Sequence, residues 1–307
     1  MNAHEIITSV VGEVKWISAT EGFCECPGKD FHSHGDGRKD CKLYLNGVPT
    51  LFCFHASCAD ALGETNKWLR TEIAQHCPDS LPQLTPAQLK VAKAEAARKE
   101  NLRKRAANAS ATILKKYAWP YERIISTSPV TLTDNPREHW RLLLECFGDE
   151  DVLWIGNKYD SGPAHSLNFK TVTDWLEIWL APAQFICPST FKPGSTSRSN
   201  DSVAKKKFLV VESDELSRDQ VGAVFKWMEA EIQMKLSAIV DTAGKSLHAW
   251  FEYPSDSIIE QLKLVLPELR CDPKLFTPSQ PVRLPGAERD GKLQKLIYLK
   301  EEVVCAQ

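Results

Sequence analysis

The sequence predicts an α+β protein: a mixed or antiparallel sheet flanked by helices, preceded by a small metal-knuckle domain and a helical linker. Three observations carry this expectation. Five of the ten cysteines lie between positions 24 and 58, with histidines among them. Residues 85–117 are dense in Ala, Lys, Arg and Glu, with no Gly and one Pro, at the start. From Trp119 onward, short apolar runs alternate with amphipathic helical periods, the pattern of strands packed against helices. The expected division is therefore 1–80, 81–118 and 119–307.

In the first segment, Cys24-Glu-Cys-Pro-Gly-Lys-Asp-Phe-His-Ser-His34 is followed by Cys41 and by Phe52-Cys-Phe-His-Ala-Ser-Cys58. Thiolates and imidazoles in two knuckles about twenty residues apart suit tetrahedral zinc. Between them, Cys41–Cys53 reads as a hairpin turning at Asn46-Gly47, which carries one knuckle back to the other as in a zinc ribbon. The favoured ligands are Cys26, His32, Cys53 and Cys58. His55 is an alternative to either of the last two, and Cys24, His34 and Cys41 are in reserve. Four protein ligands leave no open coordination position, so the expected role is structural. Trp16, Phe23, Phe31, Phe54 and Trp68 are read mainly as core, with stacking on single-stranded nucleic acid as the functional alternative.

In the second segment, Thr85 is the expected N-cap and Pro86 the first helical residue. Lys90, Lys93, Arg98, Lys99, Arg103, Lys104, Arg105, Lys115 and Lys116 oppose Glu95 and Glu100, a net charge of +7 on one helix. The whole chain carries −2, so any attraction for nucleic acid is local rather than spread over the surface. The third segment predicts strands at Val152–Gly156, Phe208–Val211, Leu236–Val240, Ser246–Tyr253 and Gln294–Leu299. Helices are expected over Phe169–Leu180, Asp219–Lys235 and Ser257–Leu266, and a polar loop over Ser195–Asn200.

No apolar run approaches the ~18 residues of a membrane helix, and the N-terminus lacks the basic start and apolar centre of a signal peptide. A cytoplasmic protein is expected, with its cysteines reduced.

The chemistry-bearing residues fall in three places. Phe208-Leu-Val-Val-Glu-Ser-Asp214 is an apolar strand that ends in acid. Glu212 and Asp214 are two residues apart, so they share a face and repel unless a hard cation such as Mg²⁺ or Mn²⁺ lies between them. Glu215 faces away. Thr242-Ala-Gly-Lys-Ser-Leu-His248 combines a glycine turn with Lys245, Ser246 and His248, groups that can hold phosphate oxygens, although the upstream glycine of a P-loop is missing. Asp241 reads as a cap for that turn. Asp272 can complete a carboxylate triad. Arg283, before Pro285-Gly286, can bind a triphosphate or template bidentately, with Arg289 and Lys292 adding charge. Arg198 is read as a solvated loop arginine, with nucleotide or template contact as the alternative.

These three segments resemble the motifs of the archaeo-eukaryotic primase superfamily, especially its primase-polymerase branch in phages, plasmids and mobile elements. That family has an acidic pair spaced by one residue, here Glu212 and Asp214; a small-x-His motif, here Ser246-Leu247-His248; and a later acid, here Asp272. Arg283 stands where relatives carry a basic residue. The resemblance covers roughly 119–307, and the knuckles resemble more loosely the zinc ribbons attached to primases. The first acid is Glu where the family more often has Asp.

The resemblance implies a primase-polymerase domain that joins NTPs or dNTPs to a 3′-hydroxyl on a single-stranded DNA template. Glu212, Asp214 and Asp272 would hold Mg²⁺ or Mn²⁺. Lys245, Ser246, His248 and Arg283 would bind the triphosphate. Many relatives carry a helicase domain, so a separate replicative helicase is the expected partner. Two other classes compete: a metal-dependent nuclease, which has no use for a triphosphate pocket, and a non-catalytic replication initiator, which has no use for intact acids.

Overall fold

A computed structural model describes residues 2–32, 41–53, 55–78, 86–157, 163–179 and 183–301. Thr85, His34 and Phe54 lie outside them, as do the ends of several loops. The chain divides into two compact units, Met1–Glu95 and Ala96–Gln307, and is mixed α+β with antiparallel sheets.

The first unit starts with helix α1 (Ala3–Val11), capped by Asn2 and Glu5 in a reciprocal capping box. Strands β1 (Val14–Trp16), β2 (Glu21–Cys24), β3 (Cys41–Tyr44) and β4 (Thr50–Cys53) follow and pair in that order. The expected hairpin is present: Cys41 pairs with Cys53, and Gly47 takes the left-handed φ of 117° in the connection. Helix α2 (Ala59–His76) packs Leu62, Leu69 and Ile73 with Ile6, Ile7 and Leu43 around the buried cysteines. Of the aromatics expected mainly in the core, Phe31 and Trp68 are exposed. Helix α3 (Pro86–Lys116) is the expected basic helix, and the boundary between the units falls inside it.

In the second unit come α4 (Tyr121–Ser126), α5 (Pro136–Leu144), β5 (Val152–Gly156) and β6 (Phe169–Thr171). After them come α6 (Val172–Leu176), β7 (Phe185–Ile186), β8 (Ser189–Phe191) and β9 (Val203–Lys206). The helix expected over Phe169–Leu180 is thus a strand and a short helix. Phe169 pairs with Trp154, and the Thr171 hydroxyl then caps α6 by accepting from Asp174 N; Leu180 lies outside the described residues. Next come β10 (Phe208–Val211), α7 (Arg218–Glu231), β11 (Leu236–Asp241), β12 (Leu247–Glu252) and α8 (Asp256–Val265). The last strands are β13 (Val282–Arg283), β14 (Glu288–Arg289), β15 (Lys292–Leu293) and β16 (Lys295–Leu299). Helix α7 stops short of the expected Lys235 because Gln233 turns to a left-handed φ of 61°.

The central sheet has the antiparallel order β10-β12-β11-β16. Strands β10 and β11 are joined by α7, and β12 inserts between them, which makes a split β-α-β arrangement. The sheet is buried on both faces. Leu209, Val211, Ile239, Ala249 and Phe251 face α7 and α8, while Phe208, Val210, Val240 and Trp250 face α5 and a second sheet of order β13-β7-β5-β8-β9. This explains why β10, β11 and β12 read as nearly continuous apolar runs. Burial of side chains the size of Trp250 or Phe251 contributes about 1.5–3 kcal/mol each.

Candidate functional site

One end of the central sheet gathers residues from all three sequence segments. Strand β10 ends at Val211, opposite Ala249, and Glu212 extends that register to face His248. Glu212 lies on the face of Phe208 and Val210, and His248 on that of Trp250. Glu212 Oε2 is 2.5 Å from His248 Nε2, and the Ser246 hydroxyl donates to the same Oε2 at 3.2 Å. Ser246 and His248 are both buried, so the alternation of β12 aims both at one carboxylate oxygen. Burial pushes the Glu212 carboxyl up, but the His248 charge and hydrogen bond, the Ser246 hydroxyl and the nearby Arg283 outweigh it and hold the group below its ordinary value. His248 Nδ1 is buried with no protein partner among the described residues.

The residue between the two acids positions both. Ser213 is fully buried; its hydroxyl donates to Arg270 O and accepts from Glu215 N and Leu216 N. With Ser213 held inward, Glu212 and Asp214 alternate away from it. Asp214 is exposed in the turn before α7. Asp272 N donates to Glu212 O at 3.0 Å, which ties the third segment to the first. The Asp272 carboxylate, however, caps the next turn, accepting from Lys274 N at 2.8 Å. The backbones are therefore brought together, but the three carboxylates are not clustered at metal-ligand distance.

Cations converge on the same end of the sheet. Arg283 lies over the Phe185 ring, 4.2 Å from its centroid, and donates to Gln184 Oε1 at 3.0 Å. Burial lowers the pKa of its guanidinium, as does Arg289, while Asp290 and Glu212 oppose them. Arg289 reaches the β11–β12 turn: a Cβ on Gly244 would lie 2.6 Å from Arg289 Nη1. The Arg289 guanidinium thus packs against the glycine of Gly244-Lys245-Ser246. Lys245 is exposed beside it.

Several positioning residues were not legible as such. Asp241 is on the opposite face of the sheet, where Arg218 grips it with two bonds of 2.8 and 2.9 Å, Tyr121 donates at 2.7 Å and Ala243 N at 2.9 Å. Arg218 also donates to Gly244 O at 2.8 Å. The expected role of Asp241 as a turn cap agrees with this placement; its partners Arg218 and Tyr121 carry no sequence signal beyond the Ser217–Gln220 capping box. Gln294 is fully buried and donates to Leu284 O and Gln184 O, which fixes the strand that carries Arg283. Gly286 has φ 85°, and a Cβ there would lie 2.3 Å from Pro136 O, so the Pro285-Gly286 turn after Arg283 has to be glycine. Arg198 is not a free loop arginine: it stacks on Trp154 at 4.6 Å and donates to Ser279 O at 2.7 Å.

The first unit holds a separate candidate metal centre. Cys26, His32, Cys53 and Cys58 have ligand atoms all within 4.8 Å of one another, and among the described residues this is the one Cys/His/Asp/Glu set that meets that test. A tetrahedron with Zn–S of about 2.3 Å has edges of about 3.8 Å, so the four donors fit one ion. Gly28 makes the knuckle possible, because a Cβ there would lie 2.5 Å from the Cys58 Cβ. His55 stacks on His32 at 3.9 Å with its Nδ1 3.3 Å from Cys53 Sγ, beside the four rather than among them. Cys24 and Cys41 oppose one another across β2 and β3. Burial is the first cause that pushes the metal-free Cys58 thiol up to about 12. A bound ion would replace that proton.

No protein-family model, no curated protein and no solved structure matches this chain. No helix among the described residues is long and apolar enough to cross a membrane.

Proposed function

We propose that the chain is a primase-polymerase that adds NTPs or dNTPs to a 3′-hydroxyl on a single-stranded DNA template. The observation that carries this reading is the convergence of Ser246 and His248 on one carboxylate oxygen of Glu212, with Arg283 and Arg289 nearby. A carboxylate next to convergent cations suits an anionic substrate bound through a cation, and a nuclease has little need for the second arginine. Glu212 and Asp214 would hold Mg²⁺ or Mn²⁺, with Asp272 the third candidate. Such ions, when bound, reduce the charge on a triphosphate and make a 3′-hydroxyl a better nucleophile.

The protein's own groups supply the rest. Arg283, Arg289 and Lys245 bind phosphate oxygens, and Arg283, stacked on Phe185, meets them in a fixed orientation. The buried imidazole of His248 orients Glu212 and presents a free Nδ1. In the first unit Cys26, His32, Cys53 and Cys58 would hold structural Zn²⁺ as a zinc ribbon, a module suited to a nucleic-acid strand. A separate replicative helicase is the partner this reading anticipates.

The test is synthesis of new or extended strands from single-stranded DNA, nucleoside triphosphates and Mg²⁺ or Mn²⁺. Activity is expected in the native protein and absent after Glu212→Ala with Asp214→Ala. Undiminished synthesis in that double variant, or strand cleavage in place of synthesis by the native protein, would overturn the proposal.

A further inference from the structure

The end of the central sheet remote from Glu212 carries a second concentration of charge. Three backbone bonds assemble it. Tyr253 N donates to Lys207 O, Glu252 N to Lys235 O and Lys300 N to Ser237 O. These bonds line up Lys207 before β10, Lys235 before β11 and Lys300 after β16, and the edge strand β9 adds Lys205 and Lys206. The lysines border a groove of ≈ 890 Å³ whose floor includes Phe147, Phe208 and Leu236.

The acids on the rim leave Lys205, Lys206 and Lys207 of this row unneutralised. Glu252 pairs with Lys235 at 3.3 Å, and Glu145 faces Arg141 at 4.0 Å. Asp149 is the remaining acid lining the groove. Lys205, Lys206 and Lys207 have no carboxylate partner among the described residues; Lys206 instead lies 5.2 Å from the centroid of the half-buried Tyr253 ring. Three successive like charges at a strand edge repel one another, and folding gains nothing from their proximity.

The shape of the row selects the ligand. The lysines do not surround a point, as a site for free phosphate would. They extend across the strand ends, and three inter-strand spacings give about 14 Å. A row of that length meets successive phosphates of one strand rather than a single anion. An aromatic face under a cation within such a groove suits an unpaired strand.

We propose that this groove is a second nucleic-acid site, which holds the phosphate backbone of a single strand at the end of the sheet opposite Glu212 and His248. It does not depend on any activity of that pair. The experiment is fluorescence anisotropy of a labelled single-stranded oligodeoxynucleotide with the full chain across a salt series. Lys205→Ala, Lys206→Ala and Lys207→Ala are combined in one variant, and the three arginine substitutions in another.

Loss of three phosphate contacts should make the slope of log K against log salt shallower by about 2, about tenfold in affinity over a threefold change of salt. The arginine variant should keep the native slope. An unchanged slope in the alanine variant overturns the site. Displacement of the strand by inorganic tripolyphosphate at equal phosphate concentration overturns the strand as its ligand. All the substitutions are on the surface, and an unaltered thermal midpoint shows that the fold is intact.

Discussion

Glu212 and His248 face one another across the β10–β12 pair, with Oε2 and Nε2 2.5 Å apart, although they come from two different sequence motifs. The imidazole is buried, and its second nitrogen has no protein partner. Glu212→Gln keeps the size of the side chain but removes its charge. Strand synthesis should fall by about 10²-fold or more, the scale of losing one electrostatic group in an active site. The check is single-turnover extension beside a circular dichroism melt. A normal rate in a folded variant would rule out Glu212 as part of the chemistry.

Arg218 holds Asp241 with two bonds and the Gly244 carbonyl with a third. Arg218→Ala leaves a nearly buried carboxylate without its cation, which costs about 3 kcal/mol. Arg218→Lys retains the charge without the fork and should fall between. Urea unfolding midpoints at neutral pH measure both.

The Tyr121 phenol is pushed up to about 12, by burial first and then by the hydrogen bond to Asp241 and its charge, with Arg218 opposing. The neutral form is therefore favoured in the native state. Its contribution is fully present below about pH 10, where the unfolded phenol titrates, and is lost as pH rises toward 12. The native protein should lose more stability between pH 10 and 12 than Tyr121→Phe does. Equal slopes for the two proteins, by urea midpoints, would contradict this.

Gly286 combines a left-handed φ with a backbone oxygen where a Cβ would stand. Gly286→Ala should destabilise the fold by about 2 kcal/mol or more, from strain and overlap together. Since the same turn follows Arg283, triphosphate affinity should weaken as well. Thermal unfolding and nucleotide titration separate the two effects.

For the metal centre, purified protein should carry one zinc per chain, and Cys53→Ser with Cys58→Ser should carry none. His55→Ala should keep its zinc, because His55 stands beside the four donors. Metal analysis decides, and zinc loss in His55→Ala would move the ligand set.

Much of this was legible because the central strands are buried on both faces. Apolar runs such as Phe208–Val211 announce themselves, and so do acids, a histidine and an arginine at their ends. The four clustered Cys and His donors were legible for a similar reason: thiols and imidazoles at two knuckles, joined by a hairpin, have few uses other than a metal site. What the sequence hides is direction. Nothing local says that the Asp272 carboxylate turns back to cap Lys274, or that Arg289 packs against Gly244. Nor is a helix readily told from a strand at Phe169–Thr171, where pairing with β5 decides. Arg218, Gln294 and Ser213 act through backbone groups far away in the chain, and such bonds leave no spacing rule to read.

The insertion of β12 between β10 and β11 has a kinetic consequence. The β11–β12 hairpin closes locally, but Ser246 meets Glu212 across 34 residues of chain. Pairings of that range form late and slowly relative to hairpins and helices. The acid and the histidine are therefore strangers in any partly assembled chain, and meet when the sheet itself is complete. A nascent or locally opened form would keep its exposed lysines yet lack the joined Glu212–His248 pair.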